Sequence, residues 1–164
     1  MEINSQHTSK VITYQKALAR VTRYCSLSEK CEQDVRKKLI AWQLPIEDIE
    51  KIIAYLKEEK YLNEMRFAEF FARDKHRFGK WGKTKIIFAL KSKGISPGVI
   101  DEAIKNIDFG DYSEQLNSLL AAKFKSIKYK DKCDAKVKLY RFGISRGFEN
   151  ELVLKAIEEI LSNK

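Results

Sequence analysis

Proline and glycine are scarce in this sequence, 2 and 7 among 164 residues. So few breakers favour helices over a turn-rich β fold. Cysteine is equally thin: Cys25, Cys31 and Cys133, an odd number. That argues against a secreted disulfide framework and fits a reducing cytoplasm. The two histidines, His7 and His76, lie far apart, and no four-ligand set for structural zinc can be assembled. No apolar run approaches the roughly 18 residues needed to cross a bilayer. The start, MEINSQHTSK, lacks the apolar centre of a signal peptide. Also missing are a Ser/His/Asp set, a glycine-rich phosphate loop and a carboxylate cluster suited to two-metal chemistry. These absences read as a cytoplasmic protein that is no enzyme and carries no cofactor or metal.

What is abundant is charge. Lys and Arg number 32 against 23 Asp and Glu, for a net +9, and the pI is about 9.4. The excess points to a polyanionic partner rather than to any fold.

Helical periodicity runs through almost the whole chain. Residues 1–13 are polar and aperiodic, a flexible N-terminal tail. Residues 14–62 form a first three-helix unit. Its opening stripe is Tyr14, Ala17, Leu18, Val21 and Tyr24, at spacings of three and four. Ser26 or Ser28 is placed to cap the next helix, which turns Val35, Leu39 and Trp42 inward and ends at Leu44-Pro45. The third helix buries Ile49, Ile52, Ile53 and Leu56.

Residues 63–109 form the second unit. Asn63 caps its first helix, whose stripe of Phe67, Phe70, Phe71 and Phe78, with Ala68 and Ala72, reads as core; a stacking platform for bases is the alternative. Ile86, Ile87 and Leu90 follow, Gly94 is the left-handed stop, and Ser96-Pro97 opens a helix burying Val99, Ile100, Ala103, Ile104 and Ile107. Residues 110–161 form the third unit. It buries Leu116, Leu119, Leu120, Phe124 and Ile127, then Val137, Leu139, Tyr140 and Phe142, then Leu152, Val153, Ala156, Ile157 and Ile160.

The three units superpose. Leu44, Ile95 and Phe148 each follow a second helix, at offsets 95 − 44 = 51 and 148 − 95 = 53. Ile49, Ile100 and Val153 align on the same offsets, as do Ile53, Ile104 and Ile157. A period near fifty with matching apolar positions marks repeated helical units. Gly143 falls where Leu39 and Leu90 sit. A mid-helix glycine costs about 1 kcal/mol against alanine, so the third unit is expected to be the loosest.

Basic residues crowd the turn of the second unit: Arg73, Lys75, Arg77, Lys80, Lys83 and Lys85 face one acid, Asp74. Trp81 sits between Gly79 and Gly82 in that turn, and either packs back onto its own unit or serves as an exposed anchor. Lys123, Lys125, Lys128, Lys136 and Lys138 occupy the matching turn of the third unit. Basic turns repeated on tandem units make a track suited to a rod-like polyanion.

Three stretches in order, RFAEFF (66–71), KHRFGKWGKTKI (75–86) and the K-x-x-G-I that ends at Gly94-Ile95, resemble the RecX family of recombination regulators. The resemblance is best over residues 14–107 and continues more weakly to about 161. It implies an all-α protein of three tandem three-helix repeats, helix-turn-helix-like, in an elongated curved array. It implies a monomer that binds the RecA recombinase filament on single-stranded DNA and inhibits strand exchange and ATP hydrolysis, within DNA repair and the SOS response. On that reading the twelve basic-turn residues named above, Trp81 included, form the partner surface. Two rivals stay open: a general DNA-binding protein of helix-turn-helix units, and a helical scaffold for an acidic protein without DNA.

Overall fold

The computed structural model describes residues 12–162. The tail expected over 1–13 lies outside them except for its last two residues, of which Thr13 is the N-cap of the first helix and Ile12 packs on the first core.

Among the described residues there are helices and no strands. The first repeat holds α1 (Tyr14–Leu27), α2 (Glu32–Ala41) and α3 (Ile46–Glu58). The second holds α4 (Glu64–Arg77), α5 (Lys83–Ser92) and α6 (Pro97–Asn106). The third holds α7 (Tyr112–Ser126), α8 (Lys132–Ser145) and α9 (Asn150–Ser162). None of these helices is long and apolar enough to cross a membrane.

The backbone repeats as the sequence does. After each second helix the same bond closes the turn: Leu44 N donates to Leu39 O (3.4 Å), Ile95 N to Leu90 O (3.2 Å) and Phe148 N to Gly143 O (3.3 Å). The residue before each donor is left-handed, with φ of 59° at Gln43, 77° at Gly94 and 85° at Gly147. These are the C-terminal stops that let a second helix turn sharply into a third.

Two compact units divide the chain, with the boundary between Phe67 and Ala68, inside α4. The first is built on Ala17, Val21, Val35, Leu39, Ile49, Ile52, Ile53 and Leu56. Each such side chain, fully buried, contributes about 1.5–3 kcal/mol for the larger aliphatics. Outside it, Arg36 links Glu32 (2.8 Å) and Glu50, and Lys57 reaches Glu32 at 2.6 Å. Hydrogen bonds from Arg36 and Lys57 hold the Glu32 carboxyl below its usual range. Arg66, of the RFA motif, binds Glu29 (2.8 Å) and the carbonyl of Lys60 (2.9 Å) within this unit. The second unit buries Ala68, Ala72, Ile86, Leu90, Ile95, Ile100 and Ala103. It also buries a cluster of Leu116, Leu120, Ala135, Leu139, Phe148, Val153 and Ile157, where α7, α8 and α9 meet.

Several local expectations hold. Asn63 Oδ1 accepts from Arg66 N at 2.8 Å, and Pro97 opens α6 behind Ser96. Others do not. Neither Ser26 nor Ser28 caps α2; its N-cap is Cys31, and Ser28 ends α1. Phe70 and Phe78 are not core: they are 47% and 81% exposed. The buried face of α4 carries Phe67, Ala68, Ala72 and His76, and Phe70 lies outside that arc. Val137 is exposed as well, with Ala135, Leu139 and Gly143 turned inward instead. Nor does Gly143 leave slack. A Cβ there would stand 2.8 Å from Val153 Cγ1, so the valine of α9 occupies the space that a side chain would take.

Candidate partner-binding surface

The basic turn begins where α4 runs out. Phe78 N still donates to Asp74 O (2.9 Å), then Trp81 N reaches back to Lys75 O (3.1 Å) and closes a loop in which Lys80 is left-handed, φ 54°. The closure folds the Trp81 ring onto the helix, edge-on to Phe71 with centroids 6.4 Å apart. A Cβ on Gly79 would sit 2.7 Å from Lys75 O and 3.2 Å from the indole, so a glycine is needed there. Trp81 is half-buried and packs back; it is no exposed anchor. Lys75 and Lys85 lie over its ring at 5.8 and 4.7 Å.

The rest of the turn meets the third repeat. Gly82 N donates to Arg146 O (2.8 Å) and Thr84 N to Gly147 O (3.1 Å). The approach is so close that a Cβ on Gly82 would fall 2.2 Å from Gly147 O, and one on Gly147 would fall 2.2 Å from Lys85 Cβ. Lys85 Nζ donates to Ser145 O at 3.0 Å. Lys83 N donates to the Tyr112 hydroxyl (2.8 Å), which itself donates to Glu149 Oε2 (2.8 Å). Burial pushes the Tyr112 phenol well above its ordinary range, with Glu149 adding to the effect and the Lys83 amide opposing it. The ammonium of Lys83 rests 4.7 Å from the Phe109 ring and 5.0 Å from the Tyr112 ring.

His76, read in the sequence as isolated, is 6% exposed. Its Nε2 lies 2.9 Å from Phe109 O and its Nδ1 3.3 Å from Trp81 O, while Gln115 Nε2 donates to the His76 carbonyl at 3.1 Å. Lys83 and Lys85, two of the twelve residues expected at the partner surface, therefore join the second repeat to the third.

Three cations of the turn stay free. Arg73, Arg77 and Lys80 are exposed and pair with no carboxylate among the described residues; the neighbouring acid, Asp74, is taken by Lys75 at 3.0 Å. In the third repeat Lys125 and Lys128 are exposed and also unpaired. The others are engaged. Lys123 lies 5.3 Å from the Phe142 ring. Lys136 faces Glu158 at 3.9 Å, and Lys138 binds Asp134 (2.8 Å) and the carbonyl of Lys128 (2.8 Å). No group of three or more His, Cys, Asp or Glu among the described residues is arranged to hold a metal.

Residues 63–104 match the family model for the second three-helix domain of RecX. Across 150 residues the chain is 31% identical to the regulatory protein RecX of Clostridium tetani, covering 90% of this chain and 68% of that one. The chain belongs to the RecX family. A RecX from Prosthecochloris aestuarii is 29% identical and is covered to 95% of its length, along 90% of this chain. Against the Clostridium beijerinckii RecX, 31% identical, this chain spans 62% of the relative's length. Two crystal structures of RecX share the fold. One superposes with a TM-score of 0.77 at 22% identity, over 92% of this chain and 72% of that one. The other, from Lactobacillus salivarius, gives 0.70 at 21% identity, over 90% and 96%. The joint thus sits on a RecX framework: the turn matched by the family model carries Gly79, Trp81 and Gly82, the residues that close it.

Proposed function

We propose that this RecX family chain binds the filament that RecA recombinase forms on single-stranded DNA, and inhibits both strand exchange and ATP hydrolysis. It acts as a cytoplasmic monomer that regulates recombination and repair and has no catalysis of its own. One observation carries the reading to this chain's own residues. Arg73, Arg77 and Lys80 are exposed without carboxylate partners at the end of a helix whose following turn is bonded to the third repeat. Charges held on a fixed frame complement an anionic surface without the ordering cost of a loose tail. With the second and third repeats joined, Lys125 and Lys128 supply a second contact on the same body. Contact at two places opposes the protomer movements that turnover requires.

The test compares binding to recombinase filaments on single-stranded DNA, to bare DNA and to free recombinase at near-physiological salt, with ATP turnover read in the same samples. Preference for the filament with falling turnover is expected. The pair Arg77→Glu and Lys80→Glu should weaken filament binding at least about tenfold, taking roughly 1 kcal/mol per surface charge. Equal affinity for bare DNA, or unchanged binding by the double variant, overturns the proposal.

A further inference from the structure

We propose that the second repeat contacts the bases of single-stranded DNA directly, with Phe78 as a stacking residue. The inference deepens the filament-binding reading and can fail without it.

Three phenylalanines of this repeat stand in solvent: Phe70 at 47%, Phe78 at 81% and Phe88 at 72% exposed. The fold does not require them. With the offset of 51, the first repeat has Ala19, Leu27 and Lys37 at these places and forms the same three helices.

Their setting is cationic. Phe70, Arg73 and Arg77 fall at i, i+3 and i+7 and so share one face of α4, over about 10 Å of helix. Phe78 follows directly, between Arg77 and Lys80. On α5, Phe88 shares an exposed face with Thr84 and Lys91. Arg73, Arg77, Lys80 and Lys91 have no carboxylate partner among the described residues.

A protein anchor of the usual kind sits in a contiguous apolar patch with a polar rim. Here Phe78 is instead set between two free cations, Arg77 and Lys80, and Phe70 and Phe88 each share a helix face with at least one. Aromatic faces between backbone-binding cations form the arrangement that holds unpaired nucleotides: the cations take phosphates, and a ring takes a base of any identity. Duplex DNA keeps its bases stacked and offers Phe78 nothing to stack on, so the occupant is single-stranded.

The experiment measures fluorescence anisotropy of the full chain with labelled oligothymidylate, an abasic oligonucleotide of equal length, and a duplex. Phe78→Ala, Phe78→Leu and Phe78→Trp are compared with the unaltered protein. Alanine and leucine should each weaken oligothymidylate binding by about 5- to 150-fold, the range for removing one base–aromatic stack. Both should leave abasic binding unchanged, and tryptophan should restore affinity. The salt slope should stay the same in Phe78→Ala and fall by about 0.7 in Arg77→Ala, the change expected when one phosphate of a single strand is no longer neutralised. Leucine binding as well as phenylalanine, or an equal loss on the abasic strand, overturns the inference. So does a Phe78→Ala protein that holds oligothymidylate normally and fails only on filaments, since the ring is then a protein anchor. If Phe78→Leu binds oligothymidylate normally and the protein still lowers ATP turnover on filaments, only the base contact falls.

Discussion

Replacing Gly147 with alanine should separate the second repeat from the third, and Gly94→Ala supplies the control. Both glycines are left-handed, with φ of 85° and 77°. Alanine in that conformation costs about 1–2 kcal/mol at either site. The surroundings differ. Nothing lies within 4 Å of a Cβ on Gly94, whereas one on Gly147 would meet Lys85 Cβ at 2.2 Å and Lys85 N at 2.5 Å. Backbone cannot step aside as a flexible side-chain end would, so the joint must open. Opening forfeits the bonds from Gly82 N to Arg146 O and from Thr84 N to Gly147 O, about 0.5–1.5 kcal/mol each. Gly147→Ala should therefore cost about 2–5 kcal/mol in all, against about 1–2 for Gly94→Ala. Urea denaturation followed by circular dichroism gives the difference. Hydrogen exchange at the Thr84 amide should speed up in Gly147→Ala alone. Equal destabilisation by the two variants, with unchanged protection at Thr84, would refute the reasoning.

Gly143→Ala should destabilise the protein by about 1–3 kcal/mol despite its better helix propensity, because the new Cβ meets the stiff, buried Val153 at 2.8 Å; Gly98→Ala in open space should be neutral or stabilising, and thermal melts that reverse this order count against the packing argument. Tyr112→Phe strips the Lys83 amide and Glu149 of a shared partner and should cost about 1–3 kcal/mol at neutral pH. Because the folded phenol holds its proton more tightly than the unfolded one, its contribution is complete below about pH 10 and is lost as pH rises further. Urea titrations between neutral and alkaline pH should show that alkaline loss reduced in the variant. Cys133 is exposed, while Cys25 and Cys31 are buried and burial pushes the Cys25 thiol up to about 11. Ellman's reagent should accordingly find one fast thiol in the native protein and lose it in Cys133→Ser; a fast thiol that survives this change would show that Cys25 or Cys31 is reachable.

Much of the architecture is local and so can be read from the chain. Helix period, Pro97 behind Ser96 and the left-handed stop at Gly94 act over a few residues, and the offsets of 51 and 53 reappear at Gln43, Gly94 and Gly147 in the backbone itself. Apolar spacing locates most of the buried positions, since only one face of each helix is covered. It fails on α4, where the run of phenylalanines suggests too wide an arc and takes in Phe70. The signal for a narrower face is there in Ala68, Ala72 and His76 at four-residue steps. Tyr112 carries no local mark of its role between Lys83 and Glu149. Lys75 and Lys138 find acids close by in the chain, Asp74 and Asp134, but the fate of the other cations of the second repeat's turn is decided by tertiary structure. Lys83 and Lys85 look no different in sequence from Arg77 and Lys80, but Lys85 meets Ser145 and Lys83 meets Tyr112. Meetings between residues 29 and 60 positions apart depend on how two repeats dock, and the docking depends on two glycines, Gly82 and Gly147, whose missing side chains let backbone meet backbone.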